Sequence, residues 1–328
     1  MRWSIDFPIP ESPFPISHQS KILSLGSCFA QTIGQKMKDS KFDILINPFG
    51  TIFHPMNLAD LLDQAIFGYP LDEQKILAFD GRFMHYSAHS DLRASSQDEL
   101  KNLYDSKIQE IKTFLQEGSH LILTFGTSWI YQHQDLGRVA NCHKQSNSLF
   151  TKKLSELEEM EFVMTHLLET ISNSFPQLKI ILTVSPVRHT KDGIAENQLS
   201  KSLLRVLCDR LEKQFNMVSY FPAYEIMMDE LRDYRFYKSD LIHPTEEAEN
   251  YIWEKWKKSV FKAPTQEKVR EIEKIQLELA HRPFNPESDS HQKFLQNLLV
   301  KLERIHRELD FSKEIKSVSE LLNPPARL

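Results

Sequence analysis

Short apolar runs separated by helix-length stretches constrain this chain more than anything else in it. ILSLG at 22–26, HLILTF at 120–125 and KIILTV at 179–184 are nearly continuous in apolar residues and lack the alternation of a half-exposed strand. Strands of this kind are buried on both faces. Parallel neighbours also need a crossover long enough to hold a helix, and the intervening segments supply it. The pattern predicts an α/β protein: a three-layer α/β/α domain with a mostly parallel sheet. A length of 328 residues with 41% hydrophobic content is enough for one substantial core plus an appendage.

The first twenty residues, rich in proline and serine, read as an extended lead-in. KILSLGSCFA then gives a strand ending at glycine, and AQTIGQKMKDS a helix. FDILINPFG reads as a second strand, and HPMNLADLLDQAIFG as a helix capped by Asn57. FDGRFMHYSAHSDL suits a small hairpin or the rim of a site, and QDELKNLYDSKIQEIKTFLQEG an amphipathic helix. HLILTFGTSWIY reads as one strand, 154–174 as a helix, QLKIILTVSPV as a strand and NQLSKSLLRVLCDRLEKQF as a helix. MVSYFPAYEIM supplies a strand and turn, and HPTEEAENYIWEKWKKSVF a closing helix with Pro244 near its start. From about Ala263 the chain becomes charged and helix-patterned, broken by a proline-bearing turn, which predicts a C-terminal helical hairpin. The expected division is 1–262 for the sheet domain and 263–328 for the helical extension. The extension's apolar positions suit docking on the sheet domain, capping of the site or a homo-oligomer.

A formal net charge of −5 argues against nucleic acid as a partner. The N-terminus MRWSIDFPIPESPF lacks the apolar core of a secretory signal, and no segment is apolar for long enough to span a bilayer. The expectation is a cytoplasmic protein without a membrane span. Cys28, Cys142 and Cys208 are too widely spaced for a disulfide framework or a paired zinc pattern. Cys142 beside His143, and His85 with His89, make a weak case for zinc, since no compact ligand set accompanies them. No nucleotide-binding glycine pattern occurs, and neither a metal nor a cofactor is expected.

In an open α/β sheet, ligands bind at the carboxyl ends of the strands. Ser27 stands there, after ILSLG and before a helix, where its hydroxyl suits a nucleophile and its N–H an oxyanion donor. A serine at that position also serves as an ordinary helix cap. Far along the chain, YKSDLIHPTEEA places Asp240 three residues before His243. A carboxylate beside an imidazole orients the ring and stabilises its cation, as proton abstraction from a serine requires. Cys28, next to Ser27 on the turn, reads first as a small buried packing residue and second as a nucleophilic thiol. His54, Asn141, His143, Arg188 and His189 fall at strand ends or in loops and suit either a polar pocket or structural hydrogen bonds. Phe49, Phe53, Trp129 and Tyr131 suit the aromatic rim of a narrow pocket, or core.

Gly-Ser-Cys-Phe-Ala at 26–30, with LSLGSCFA, NPFGTIFHP, LTFGTSWIY, VANCHK and DLIHPT, resembles the GSCFA family over most of the chain. That family is similar to SGNH (GDSL-like) hydrolases. The resemblance implies a flavodoxin-like sheet, Ser27 as nucleophile and Asp240/His243 as its base. It also implies Gly50 as a second oxyanion amide beside Ser27. The superfamily's third block normally carries Gly-x-Asn, whereas this chain has Gly126, Thr127 and Ser128; Thr127, Ser128 or Asn141 is left to replace the asparagine. The implied activity is a serine-dependent acyl-ester hydrolase or O-acyltransferase acting on short acyl, particularly acetyl, esters of carbohydrates. By their places at strand ends and in loops, His54, Trp129, His143, Arg188 and His189 are the expected substrate contacts. The alternative is a non-catalytic glycan-binding or scaffold protein that keeps the SGNH fold.

Overall fold

The computed structural model describes residues 5–322. Strand β1 (Lys21–Gly26) passes through Ser27 into α1 (Cys28–Asp39), and β2 (Asp43–Ile46) precedes α2 (Pro55–Phe67). An antiparallel insertion, β3 (Ile76–Phe79), β4 (Arg82–His85) and β5 (Arg93–Ala94), leads to α3 (Gln97–Glu117) and β6 (His120–Phe125). A second insertion, β7 (Trp129–His133), β8 (Gly137–Val139) and β9 (Phe150–Leu154), leads to α4 (Leu157–Ser174) and β10 (Lys179–Val184). Helix α5 (Ile194–Gln214), β11 (Val218–Tyr220), the single turn α6 (Ala223–Glu225) and α7 (Glu246–Val260) follow. The remainder is α8 (Ala263–Leu279), α9 (Asp289–His306) and α10 (Ser312–Leu322).

The main sheet has five strands in the order β11-β10-β6-β1-β2, and every pairing in it is parallel. The expected mostly parallel α/β sheet is therefore present, and all of it is parallel. The register aligns Leu23, Leu121 and Ile180 in one row and Leu25, Leu123 and Leu182 in the next. These side chains form one core with buried residues of α2, α3, α4 and α5. Each fully buried leucine or phenylalanine contributes roughly 1.5–3 kcal/mol. Successive side chains of a strand point to opposite faces, and β6 is buried at all six positions, so both faces of the sheet are covered.

From β1 the chain turns one way to β2 and the other way to β6, β10 and β11. The carboxyl ends of β1 and β6 thus flank the switch point, where open α/β sheets form their crevice. The segment 120–131 is not one strand: Gly126, Thr127 and Ser128 break it, and the second half pairs with β8 and β9 as a separate sheet. Helix α2 is capped by His54, not Asn57. Pro55 occupies the first turn, where its missing N–H costs nothing, so His54 falls at the cap and its Nδ1 accepts from Met56 N–H at 3.2 Å. Asn57 instead donates through Nδ2 to Val139 O at 3.1 Å.

The chain separates into two compact units, one running through Met37 and from Phe42–Phe261, the other comprising Lys38–Lys41 and the residues from Lys262 onward. The expected C-terminal helical extension is present, and among the described residues it consists of α8, α9 and α10, the last starting at Ser312. Its core gathers Ile272, Ile275, Leu295, Leu298, Leu302, Ile305, Phe311 and Val318. Among the described residues, no helix is long and apolar enough to cross a membrane.

Candidate active site

At the end of β1, Gly26 has φ +139, and a Cβ there would stand 2.2 Å from Thr124 O. Only glycine allows β1 and β6 to approach this closely. Asn47 Oδ1 accepts the Gly26 N–H at 2.9 Å, and Ser27 N–H donates to Thr124 O at 3.1 Å. Ser27 is 0% exposed, and its Oγ accepts the Phe29 N–H at 3.2 Å, as a cap of α1 does. Cys28 then opens the helix, half-buried, and lines a cavity of about 490 Å³. That cavity is lined by Phe53, Trp129, Tyr131, Asn141 and His243, among others.

His243 comes from the segment between α6 and α7. Asp240 Oδ1 accepts the Ile242 and His243 N–H groups at 2.9 and 3.0 Å, which bends the backbone back on itself. Its other oxygen, Oδ2, lies 2.8 Å from His243 Nδ1. Hydrogen bonds from the His243 side chain, then from the His243 and Ile242 N–H groups, hold the Asp240 carboxyl well below the usual carboxylate range. An ionised Asp240 accepts the Nδ1 proton, so Nε2 carries the lone pair. The loop is anchored by Arg188 N–H on Ile242 O at 3.1 Å and Lys238 N–H on His243 O at 2.8 Å. Thr245 Oγ1 caps α7 by accepting the Ala248 N–H at 3.3 Å.

The end of β6 is built around a buried cation. Lys201, fully buried in α5, donates to Gly126 O at 2.6 Å and Ser185 O at 2.7 Å, tying the carboxyl ends of β6 and β10 together. Burial lowers its pKa to about 7. Ser200, beside it, accepts the Ser128 N–H at 2.8 Å and lies 3.1 Å from Thr127 Oγ1. Ser128 Oγ donates to Ser200 O at 3.1 Å, so this hydroxyl is directed into the protein, whereas Thr127 lines the cavity.

The sequence-chosen residues divide clearly. His54, Thr127, Trp129, Asn141, Arg188, His189 and His243 share the cavity, with Asp240 bonded to His243. Ser27, Gly50, Ser128 and His143 are not in its lining. The two amides expected to hold an oxyanion are engaged with backbone carbonyls, Ser27 as described and Gly50 with Asn47 O at 2.7 Å. Gly50 closes a tight turn with φ +72, packed on His89. His143 is a buried structural group: Nδ1 is 3.0 Å from Ser90 Oγ and Nε2 2.9 Å from His85 O. Of the expected aromatic rim, Phe53, Trp129 and Tyr131 line the cavity, while Phe49 is core and packs edge-on against Tyr104.

The polar lining has directed roles. Asn141 Oδ1 accepts the His143 N–H at 2.8 Å, which leaves its Nδ2 as a donor. His54 Nε2 is 3.1 Å from Ser155 Oγ, and burial first of all lowers its pKa to about 3. His189 has a buried Nε2 without a hydrogen-bond partner and is also held near about 3, by burial and then by Lys201, Lys152 and His243. Arg188 lays its guanidinium over Tyr237 at 4.0 Å. Lys152 and Asp192 pair at the same cavity. Sequence reasoning missed Cys28, Cys142, Lys152 and Asp192 as lining. Cys28 was legible in principle, because the residue after a helix cap leaves the turn in a different direction from the cap itself.

A five-stranded parallel sheet with an Asp–His pair at its switch-point crevice defines an α/β protein of the kind that carries its site on strand-end loops. Within that class, residues 21–256 match the family model described as the GSCFA family, and residues 272–324 match the one described as GSCFA domain protein, C-terminal domain. The chain belongs to the GSCFA family. No curated protein and no solved structure matches it.

Proposed function

We propose that this cavity carries out acyl transfer, as an SGNH-like acyl-ester hydrolase or O-acyltransferase on short acyl, particularly acetyl, esters of carbohydrates. The observation that carries the reading is the 2.8 Å Asp240–His243 bond, which leaves His243 Nε2 without a protein partner at a cavity beside the Ser27–Cys28 turn. An imidazole oriented in this way accepts a proton from a nucleophile and returns it to a leaving alcohol. Asn141 Nδ2 is a candidate oxyanion donor, and Thr127 lines the same cavity. Trp129 and Tyr131 offer aromatic faces, and Arg188 and Asn141 polar contacts, a combination suited to a sugar ring.

Turnover of p-nitrophenyl acetate and of acetylated sugars by the purified protein, abolished in His243→Ala, is the expected result. The burial of Ser27 favours a second reading, a glycan-binding protein without catalysis. Sugar binding by calorimetry with no turnover of any ester would select it.

A further inference from the structure

We infer that the nucleophile of this cavity is the thiol of Cys28 rather than the hydroxyl of Ser27, so that the acyl-enzyme is a thioester. The inference rests on the acyl-transfer reading for its substrate class and on the geometry of one turn for its atom. Ser27 is wholly buried, and its Oγ accepts from Phe29 N–H at the start of α1. Cys28, one residue on, is half-buried and lines the cavity together with His243. A cysteine used only for packing looks different in this protein: Cys208 is fully buried among the core leucines, and burial drives its thiol far above the ordinary range. Two further features point to a ligand at the same place. His189 and His243 both line the cavity, His189 with a buried, unpartnered Nε2 and His243 with Nδ1 engaged by Asp240 and no protein partner at Nε2.

The chemistry follows from these positions. Burial raises the Cys28 thiol above its usual value, with its own backbone N–H pulling the other way. The resting thiol is therefore neutral, and His243 has to take its proton as the bond forms. Cys28 Sγ attacks the ester carbonyl carbon, the thiol proton passes to His243 Nε2, and the carbonyl electron pair moves onto oxygen. The Cys28 N–H, first in α1, has no acceptor within the helix, and Asn141 Nδ2 lines the same cavity; both are available to that oxyanion. Collapse breaks the C–O bond, and His243 returns the proton to the departing alcohol. Water then attacks the thioester, and the carboxylic acid leaves as the thiol is restored. An acceptor hydroxyl in place of water gives the transferase outcome.

Two measurements on the full chain test this. Iodoacetamide alkylation, mapped by peptide mass, is followed against pH in wild type and His243→Ala, with Cys142 as internal reference. Acyl adducts from p-nitrophenyl acetate are mapped in wild type, Ser27→Ala, Cys28→Ala and Cys28→Ser. The expected results are alkylation of Cys28 at least ~10-fold faster in wild type than in His243→Ala and a hydroxylamine-labile acetyl adduct on Cys28. That adduct persists in Ser27→Ala, disappears in Cys28→Ala and becomes hydroxylamine-stable in Cys28→Ser. An adduct on Ser27 would overturn the inference and leave acyl transfer standing. Equal alkylation rates with and without His243 would overturn it outright. His243-dependent alkylation of Cys28 without turnover of any ester would keep the activated thiol and remove the acyl-transfer reading.

Discussion

Asp240 and His243 are joined by a hydrogen bond, and on the proposed acyl-transfer reading substitution separates their roles. Asp240→Asn keeps the side-chain shape but removes the charge that selects the Nδ1–H tautomer, so ester turnover is expected to fall by about 10³–10⁴ with little change in melting temperature. A kinetic comparison with His243→Ala checks this, and an Asp240→Asn enzyme of near-normal kcat would remove Asp240 from the mechanism. The pair was legible in the sequence because three residues of loop suffice to join it. The proposed attacking atom was not. Ser27 and Cys28 are adjacent, and which of them faces the crevice depends on the direction in which α1 leaves the turn. Likewise, the Gly50 and Ser27 amides look free in a motif, but the carbonyls that engage them, Asn47 O and Thr124 O, come from the turn's own geometry and from the neighbouring strand.

Among elements, the close contact of β1 with β6 is the least tolerant. Gly26→Ala would force a Cβ against Thr124 O and demand a backbone angle that alanine rarely adopts, a loss expected to exceed about 3 kcal/mol. Urea unfolding measures it, and a shift under about 1 kcal/mol would show that the strands can separate without penalty. Lys201→Met is a second test. It leaves Gly126 O and Ser185 O without their donor, with an expected cost of about 1–3 kcal/mol and a loosened β6–β10 end. Hydrogen exchange at Thr127 and Val187 would report that loosening. Strands buried on both faces announced themselves as apolar runs, so β1, β6 and β10 were readable. The β7–β9 insertion was not, because TFGTSWIY continues an apolar pattern across a break that only the Ser200–Ser128 and Lys201–Gly126 bonds reveal.

At the scale of the whole molecule, buried neutral histidines link stability to pH. Burial lowers His54 to about 3 and His85 and His120 to about 4. In the unfolded chain such rings titrate near about 6.5. Between those values the unfolded state binds more protons, so the stability contributed is complete above about 6.5 and is lost as pH falls towards the folded values. For the nearly fully buried His54 the loss by pH 5 is at most about 2 kcal/mol. Urea midpoints are expected to drop from pH 7.5 to pH 5, with a shallower slope in His54→Gln. A flat profile would mean that these rings stay accessible to protons in the fold.

The site also has a long span in sequence: the Ser27–Cys28 turn ends the first strand, whereas the Asp240–His243 loop immediately precedes the last helix of the larger unit. A nascent chain still emerging from the ribosome therefore carries the turn for most of its synthesis with no base to activate it. On the proposed acyl-transfer reading, reactivity arrives only when the loop at 240–243 has been made and has docked through Arg188, so completion of this unit and onset of chemistry are one event.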